Sequence, residues 1–351
     1  MKIAVYGASG YTGQLVAAEL RRRDIDTVLS GRTADRLARV EWPRAEVRPA
    51  RPDDAAALAE AFRDCDAVIN CAGPFTSFGE AIVRAAIDAG CHYVDTSAEQ
   101  AYVKGLFDTF ADDAQVAGVA VVPATGYDIL PGDFVAHLAG QRVEPVEELV
   151  VSYDVAGFGM TRGTLRSAYE MLNGDQLSYE DDDWQWDSKP PRRSTMAFPD
   201  TSGEAPVIGW PGCEVVTIPR HVRTRHVEVV INAAAAEPDF FELLQAPAEV
   251  ANQIIDGLPE GPTQQERTKA TFVVIADAIG VDGRHSRAVV RGRDIYGCTA
   301  VIAVEGARRL ITGRDRTGVL SPAQAYDVED FLQFLAPHGF EVHVEPLAQM
   351  S

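Results

Sequence analysis

The chain has 351 residues, of which 46% are hydrophobic, and a formal net charge of −20 at pH 7. This length and composition allow one large domain or two smaller domains, each with an ordinary buried core. The strong negative charge disfavours nucleic acid and anionic membranes as partners, so the composition favours a small-molecule ligand.

Three further features restrict the class of protein. No stretch of eighteen consecutive apolar residues occurs, and Gly7 interrupts the apolar start too early for a signal peptide, so we expect no membrane span and a cytoplasmic location. The five cysteines lack C-x-x-C spacing, which argues against a disulfide framework and a structural zinc site. The histidines form no H-x-x-x-H pair, and we predict no metal.

The opening segment MKIAVYGASGYTG predicts an anion site. Residues 3–6 are apolar and predict a buried strand, and apolar residues recur at helical spacing from Gln14 onward. A strand-to-helix turn with glycines aims backbone N–H groups and the positive end of a helix dipole at its ligand, which favours a diphosphate. The predicted diphosphate-binding residues are Gly7, Ser9, Gly10, Tyr11, Thr12 and Gly13.

Strand and helix patterns continue to alternate over the first 130 residues. The later predicted strands are 27–32, 45–50, 66–75, 92–99 and 119–128, with helices between most of them. Such alternation predicts an α/β fold with a Rossmann-type doubly wound parallel sheet, whose ligand lies at the carboxyl ends of the strands. We therefore assign residues 1–130 to a dinucleotide-binding domain.

The pattern changes after Pro131 to longer strand-like runs with fewer helices. This predicts a second α+β domain over 131–318, with a mostly antiparallel sheet that serves substrate binding or dimerisation. Residues 319–351 predict a helix with Ser321 as N-cap, then a strand, returning to the first domain. The acidic, then proline- and arginine-rich segment 177–196 predicts a solvated loop, with a mobile lid or a subunit contact as alternatives.

The end of the second strand indicates which nucleotide binds. An NAD site usually carries a carboxylate there for the ribose 2′-hydroxyl, whereas a 2′-phosphate requires a cation. The sequence has Ser30, Gly31, Arg32 and Thr33 instead, so Arg32 is predicted to bind the phosphate with Ser30 or Thr33 donating. The cofactor predicted is NADPH. Arg36 is either a second cation or a surface charge.

Two other classes that share this opening are disfavoured. Short-chain dehydrogenases need a Tyr-x-x-x-Lys pair, and none of the four lysines follows a tyrosine by four residues. Acyl-phosphate reductases need a thiolate at a helix start, and the segment around Cys213 predicts a strand rather than a helix.

Several motifs together resemble the saccharopine dehydrogenase-like NADP-binding reductases, particularly the branch of trans-acting enoyl reductases. They are the Gly73-Pro74-Phe75 turn, the Gly-Glu at 79–80, HYVDTSAE at 92–99, GYDILPGD at 126–133, RGTLRSA at 162–168 and GVLSPAQA at 318–325. The chain departs from the family pattern where Tyr127 replaces phenylalanine, Ile129 replaces serine and Arg162 replaces glycine.

The resemblance implies hydride transfer from NADPH to a polarised double bond, either a conjugated C=C bond, which we favour, or a C=N bond. It places the nicotinamide near Cys71, Ala72, Gly73, Pro74, Phe75 and Ser97. The candidate proton donors or charge stabilisers are Tyr127, which we prefer, Tyr93 and Asp95, with Ser97, Glu99 and Asp128 as further possibilities. A homodimer is compatible with the long strands of the second domain.

Three functional alternatives stay open at this level. An imine formed from an amino acid carries a carboxylate and would favour an arginine pocket, for which the candidates are Arg162, Arg166, Arg220, Arg223 and Arg225. An enoyl substrate would favour an apolar cleft, for which the candidates are Phe158, Met160, Tyr169 and Trp210. The non-enzymatic alternative is a protein that senses NADPH without turnover.

Overall fold

The computed structural model describes residues 1–40, 42–187, 189–199, 203–235, 238–313 and 316–349. Its contacts divide the chain into two compact units. The first comprises Met1–Asp128 and Tyr296–Tyr326, and the second comprises Ile129–Ile295 and Asp327–Ser351. These units differ from the predicted domains at the C-terminal end, where the chain contributes to the first unit from Tyr296 and returns to the second after Tyr326.

Strands and helices alternate in the first part of the chain, and its strands form one parallel sheet. Its elements are β1 (Lys2–Tyr6), α1 (Tyr11–Arg22), β2 (Asp26–Gly31), α2 (Ala34–Leu37), β3 (Glu46–Pro49), α3 (Ala55–Phe62), β4 (Ala67–Asn70), α4 (Phe75–Asp88), β5 (His92–Asp95), α5 (Gln100–Ala117) and β6 (Ala120–Val122). The central strands are apolar on both faces, as expected for a sheet covered by helices.

The middle of the chain has longer strands and shorter helices. Its elements are α6 (Leu130–Gly140), β7 (Val146–Ala156), α7 (Arg162–Asn173), β8 (Ser178–Glu180), β9 (Asp183–Gln185), β10 (Thr195–Ala197), β11 (Glu204–Gly209), α8 (Glu214–Thr217), β12 (Val227–Asn232), α9 (Pro238–Gln245), α10 (Ala248–Gly257), α11 (Gln264–Arg267), β13 (Thr271–Gly280) and β14 (Arg284–Arg293).

The last part of the chain is shared between the two units. Its elements are α12 (Ile295–Gly313), β15 (Gly318–Val319), α13 (Pro322–Ala325), α14 (Val328–Leu335), β16 (Glu341–Val344) and β17 (Ala348–Gln349). The strand β15 joins the first sheet, whereas β16 and β17 both pair with β14 in the second sheet. The C-terminal strands therefore complete the second unit rather than returning to the first.

The sheet of the first unit confirms the predicted fold class. Its seven strands lie in the order β15-β6-β5-β4-β1-β2-β3, and every pairing is parallel. The chain starts in β1, builds outward through β2 and β3, and then crosses to β4 on the other side. Such a reversal of strand order is the point at which doubly wound sheets bind ligands.

The sheet of the second unit is mixed and mostly antiparallel, as predicted. Its main path runs β10-β11-β12-β7-β13-β14-β16, with β7 and β12 parallel to each other. The segment 177–196 was expected to be a solvated loop, but β8 and β9 pair there as a hairpin, and Ser188 lies outside the described residues. The Trp184 ring packs 5.1 Å from that of Tyr179, and the Arg220 guanidinium stands over it at 5.1 Å.

An ion pair with a buried carboxylate joins the neighbouring strands β13 and β14 of this sheet. Asp277 on β13 lies opposite Arg287 on β14 and accepts hydrogen bonds from its Nε at 2.7 Å and its Nη2 at 2.6 Å. His285 Nε2 lies 2.8 Å from the same carboxylate. Burial alone would raise the pKa of Asp277, but the hydrogen bonds from His285 and Arg287 outweigh it and lower that pKa to about 2.

We predict that Asp277→Asn destabilises the folded protein by about 3 kcal/mol at pH 7, because it removes a buried carboxylate from its ion pair with the half-buried Arg287. The folded carboxyl has a pKa of about 2, below the usual value near 3.9, so its contribution is present above about pH 4 and is lost as the pH falls through 2. Denaturant unfolding should therefore show the parent and the variant converging between about pH 4 and pH 2. A constant difference over that range would contradict the assignment.

Candidate functional site

Hydrogen bonds to the neighbouring strand β2 fix the turn after β1. The backbone N–H groups of Gly7 and Ala8 both donate to the Ser30 carbonyl, at 3.0 and 3.1 Å, and Gly10 N donates to Gly7 O at 2.9 Å. Gly7 has a φ of +81°, and a Cβ atom on it would lie 2.9 Å from the Cβ of Ala72. Glycine is therefore required at position 7 by both conformation and space.

The first turn of α1 is free of negative charge. Gly10 is the N-cap and supplies no side-chain acceptor, and the first turn carries no acidic residue. Gly13 allows the helix to start directly against the turn, because a Cβ there would overlap the Gly7 carbonyl. Tyr11 and Thr12 are half-buried beside it. A helix N-terminus of this kind fits a diphosphate, as predicted from the sequence.

The carboxyl end of β2 carries the predicted 2′-phosphate residues, but not all of them face outward. Arg32 and Thr33 are exposed, and Thr33 is the N-cap of α2. Ser30 is fully buried, and its carbonyl supports the glycine turn. The predicted side-chain contact from Ser30 to the nucleotide therefore conflicts with its burial, which leaves Arg32 and Thr33 in that role.

The turn between β4 and α4 contains the residues predicted beside the nicotinamide. Asn70 closes it by accepting a hydrogen bond from Ala72 N through Oδ1 at 2.9 Å. Gly73 is exposed, whereas the Phe75 ring is buried and packs 5.7 Å from the ring of Tyr102. Burial raises the pKa of the Cys71 thiol to about 12, so this residue is not a thiolate nucleophile at neutral pH.

A carboxylate from the next loop fixes the start of α4. Glu99 accepts hydrogen bonds from Phe75 N at 2.9 Å through Oε1 and from Thr76 N at 2.6 Å through Oε2. The Thr76 hydroxyl also donates to Oε2 at 2.6 Å. These contacts satisfy N–H groups that a helix start cannot satisfy by itself, and they place a negative charge at the positive end of the dipole. Glu99 therefore holds the Pro74 turn in position.

Asp95 is the centre of a hydrogen-bond network at the end of β5. Its Oδ1 accepts from Ser97 N at 3.1 Å, Ser97 Oγ at 2.6 Å and Ala124 N at 2.9 Å. Its Oδ2 accepts from the Tyr102 hydroxyl at 2.8 Å. One carboxylate thus ties the loop after β5 to the loop after β6.

A chain of hydroxyl groups extends this network to the β4 turn. Tyr102 donates to Asp95, the Tyr93 hydroxyl lies 2.9 Å from that of Tyr102, and Asn70 Nδ2 donates to Tyr93 at 3.0 Å. The ring of Tyr102 fits because residue 79 is glycine, since a Cβ there would overlap the ring. Hydrogen bonds therefore connect the loops after β4, β5 and β6 in one network around Asp95.

The buried positions of Tyr93 and Asp95 favour a positioning role over contact with substrate. Both side chains are 0% exposed. Burial raises the pKa of Asp95, partly offset by its hydrogen bonds, and raises that of Tyr93 well above the usual value for a phenol.

The loop after β6 holds the remaining candidates. Thr125 N donates to Asp95 O at 2.7 Å, and Tyr127 N donates to Thr299 Oγ1 at 3.2 Å. Tyr127 is buried, with 3% of its surface exposed. Asp128 is exposed to solvent, yet desolvation by the surrounding protein atoms raises its pKa to about 6.

Several residues of this network were missed from the sequence. Asn70, Tyr102 and Thr299 are ordinary residues in a strand or a helix, and no spacing singles them out. Gly79 did carry a signal, because a glycine inside a helix costs about 1 kcal/mol and usually has a packing reason. Cys213 was expected to lead into a strand, but it precedes the short helix α8 and is fully buried.

The parallel sheet, its glycine turn and the cation at the end of β2 define a dinucleotide-binding domain of the kind found in dehydrogenases and reductases. Residues 3–122 match the family described as the saccharopine dehydrogenase NADP binding domain. The match runs from β1 to the end of β6. The match confirms the resemblance and the NADP-type cofactor that the sequence predicts.

Curated relatives match part of the chain. A saccharopine dehydrogenase-like oxidoreductase from Bos taurus is 27% identical over 192 residues, which cover 47% of this chain and 44% of the relative. A trans-acting enoyl reductase from Mycobacterium ulcerans is 29% identical over 147 residues, covering 39% of this chain and 34% of that protein. The chain therefore aligns with less than half the length of these relatives.

One solved structure extends the likeness of fold to the second unit. Saccharopine dehydrogenase (L-Glu forming) from Saccharomyces cerevisiae superposes with a TM-score of 0.63 at 12% identity, covering 98% of this chain and 100% of that one. At this identity the likeness concerns the fold alone.

Two features are absent from the described residues. No described helix combines the length and apolarity that crossing a bilayer requires. Within the same residues, no group of three or more histidine, cysteine, aspartate or glutamate side chains could hold a metal ion.

We predict that Tyr102→Phe weakens NADPH binding several-fold, because it removes the hydroxyl that connects Asp95 to Tyr93 and loosens the β4 turn. The unfolding free energy should fall by about 1–3 kcal/mol, the usual cost of deleting a buried hydrogen-bond partner. Fluorescence titration with NADPH and denaturant unfolding measure the two effects.

Tyr169→Phe is the matched control for this prediction. It also deletes one tyrosine hydroxyl, which donates to Ala246 O at 2.7 Å within the second unit. It should destabilise the fold while leaving the affinity for NADPH unchanged. Equal effects of the two variants on NADPH binding would mean that the network around Tyr102 is merely structural.

Proposed function

We propose that this protein is an NADPH-dependent reductase that transfers hydride to a polarised double bond, in preference a C=C bond conjugated to a carbonyl. The observation that carries the proposal is the hydrogen-bond network around Asp95, which fixes three loops at the carboxyl edge of the parallel sheet. The residues of this sheet match an NADP-binding domain family. The name of the mycobacterial relative supports reduction of an enoyl group.

The residues present fit the nicotinamide cofactor, which supplies a hydride when bound. The glycine turn and the start of α1 would hold its diphosphate, and Arg32 would hold its 2′-phosphate. Gly73 leaves the surface of the β4 turn open, while Glu99 and Asn70 keep that turn rigid. Rigid positioning of this kind is the main contribution a protein makes to hydride transfer.

Three of the five arginines considered for a carboxylate pocket have other partners. Arg162 donates to Leu258 O at 2.6 Å, and Arg166 forms an ion pair with Asp256. Arg225 pairs with Glu147 at 3.2 Å. Exposed ion pairs of this kind do not separate the two substrates, so our preference for the conjugated alkene rests on the relative named trans-acting enoyl reductase.

The apolar candidates do not form one group. Met160 and Tyr169 pack against the helical core formed by α7, α9 and α10, whereas the Trp210 backbone bonds to Val229 on β12. An imine reductase or an opine-type dehydrogenase is therefore kept as the alternative reaction.

We predict that the protein oxidises NADPH in the presence of an enone or an enoyl thioester, and does so much more slowly with NADH. Absorbance at 340 nm, measured with both cofactors against a panel of enones, enoyl thioesters and cyclic imines, tests this. Turnover with imines alone would replace the C=C assignment by the C=N assignment. Tight NADPH binding without turnover on any electrophile would favour the sensor.

Tyr127 is our proposed proton donor, and Asp128 is its competitor. Both lie in the loop that Asp95 and Thr299 hold in place. The two groups differ in the pH range over which they carry a proton. A carboxyl with a pKa of about 6 is largely ionised at neutral pH, whereas an ordinary phenol keeps its proton to about pH 10.

We predict that kcat/KM stays level between pH 6 and pH 8 and that Tyr127→Phe lowers kcat by about 100-fold without weakening NADPH binding. If Asp128 is the donor instead, the parent loses about tenfold in kcat/KM for each pH unit above 6, and Asp128→Asn abolishes that dependence. Unchanged turnover in Tyr127→Phe would dismiss Tyr127.

A further inference from the structure

We propose that Arg51, directly after β3, is a second cation of the 2′-phosphate subsite, and that Asp53 holds this guanidinium until the nucleotide arrives. The inference rests on the proposed use of NADPH and identifies a residue that sets the preference for NADPH over NADH. From the sequence, Arg36 on α2 was the candidate for a second cation.

The backbone brings Arg32 and Arg51 to the same edge of the sheet. The strands β2 and β3 are parallel neighbours, with Gly31 in register with Pro49. Beyond the register, Ala50 N donates to Gly31 O at 3.0 Å. Arg32 directly follows Gly31 and Arg51 directly follows Ala50, so both residues leave the ends of adjacent strands whose backbones lie about 5 Å apart.

The buried hydroxyl of Tyr6 is influenced by the charges of both arginines and of Asp53. Tyr6 at the end of β1 donates to Ala50 O at 3.1 Å. Burial raises the pKa of Tyr6 to about 12, while the positive charges of Arg32 and Arg51 oppose this rise and Asp53 adds to it. Both guanidinium groups and the carboxylate therefore lie within electrostatic reach of the same phenol.

Arg51 has a carboxylate partner, Asp53, that a phosphate can replace. Its Nε and Nη2 each contact one oxygen of Asp53 at 2.9 Å. Both side chains are 69% exposed, and an exposed pair of this kind contributes little to stability. A phosphate dianion offers the same two-pronged acceptor with twice the charge, so exchanging Asp53 for the phosphate is favourable.

Calorimetry with nucleotide fragments isolates the phosphate contact. The full-length chain is titrated with 2′,5′-ADP and with 5′-AMP, which differ by the 2′-phosphate alone. Arg51→Ala should weaken 2′,5′-ADP by about 10-fold and leave 5′-AMP unchanged, the loss expected for a charge-assisted hydrogen bond. Asp53→Asn should tighten 2′,5′-ADP by about 2-fold, because it releases Arg51 from its carboxylate.

Arg44→Ala is the matched control. Arg44 precedes β3, is 77% exposed and pairs with Asp24 at 3.2 Å, so the variant removes the same charge from the other end of the strand. It should leave both affinities unchanged. The gain in Asp53→Asn is a result that a misfolded variant would not give.

Two results would overturn the inference, and they can be told apart. If the parent prefers NADPH to NADH but Arg51→Ala binds 2′,5′-ADP as Arg44→Ala does, the subsite lacks Arg51 and the proposed function is unaffected. If the parent binds NADPH no better than NADH in fluorescence titrations, the proposed cofactor preference fails, and the second cation fails with it.

Discussion

The buried carboxylate of Asp95 is the constraint on which the candidate site depends. Two oxygen atoms receive four hydrogen bonds, from Ser97, Ala124 and Tyr102, in a place where water does not reach. A charge or polar group in such surroundings is tolerated only when its bonds are made. The loops therefore have one low-energy arrangement, and that arrangement fixes the positions of the turn between β4 and α4 and of the loop that carries Tyr127.

The site divides its work between backbone and side chains. The glycine turn presents N–H groups and a helix dipole, which need no particular side chain, while in our proposal the exposed cations at the strand ends discriminate between nucleotides. In a chain of net charge −20, a dianionic phosphate would otherwise meet a repulsive surface. The proposed pair of guanidinium groups at this one edge would overcome that repulsion locally and would make nucleotide preference sensitive to ionic strength.

Much of the first unit could be predicted because its signals are local. Apolar runs gave the strands, and the Gly7 turn and Arg32 follow directly from backbone sterics and charge. The network could not be predicted, since Asn70, Tyr93 and Tyr102 meet only when three separate βα segments are packed together. Burial likewise overrode the expected outward role of Ser30.

In the second unit, the strands were recognisable by their apolar runs, but their partners were not. The hairpin of β8 and β9 was missed because its segment is acidic and polar, and pairing depends on Tyr179 packing against Trp184. The pairing of the C-terminal strand β16 with β14 could not be predicted either, because it depends on tertiary packing and not on the local sequence.

Glu99 has a double position, because it is the N-cap residue of α5 and its side chain receives the first N–H groups of α4. The residue at which α5 starts therefore supplies the carboxylate that caps the start of α4. Fraying at the first turn of α5 moves this carboxylate away from Phe75 N and Thr76 N, so the amide hydrogens of both residues exchange with solvent when the head of α5 opens. The two helices thus form one cooperative unit of local unfolding.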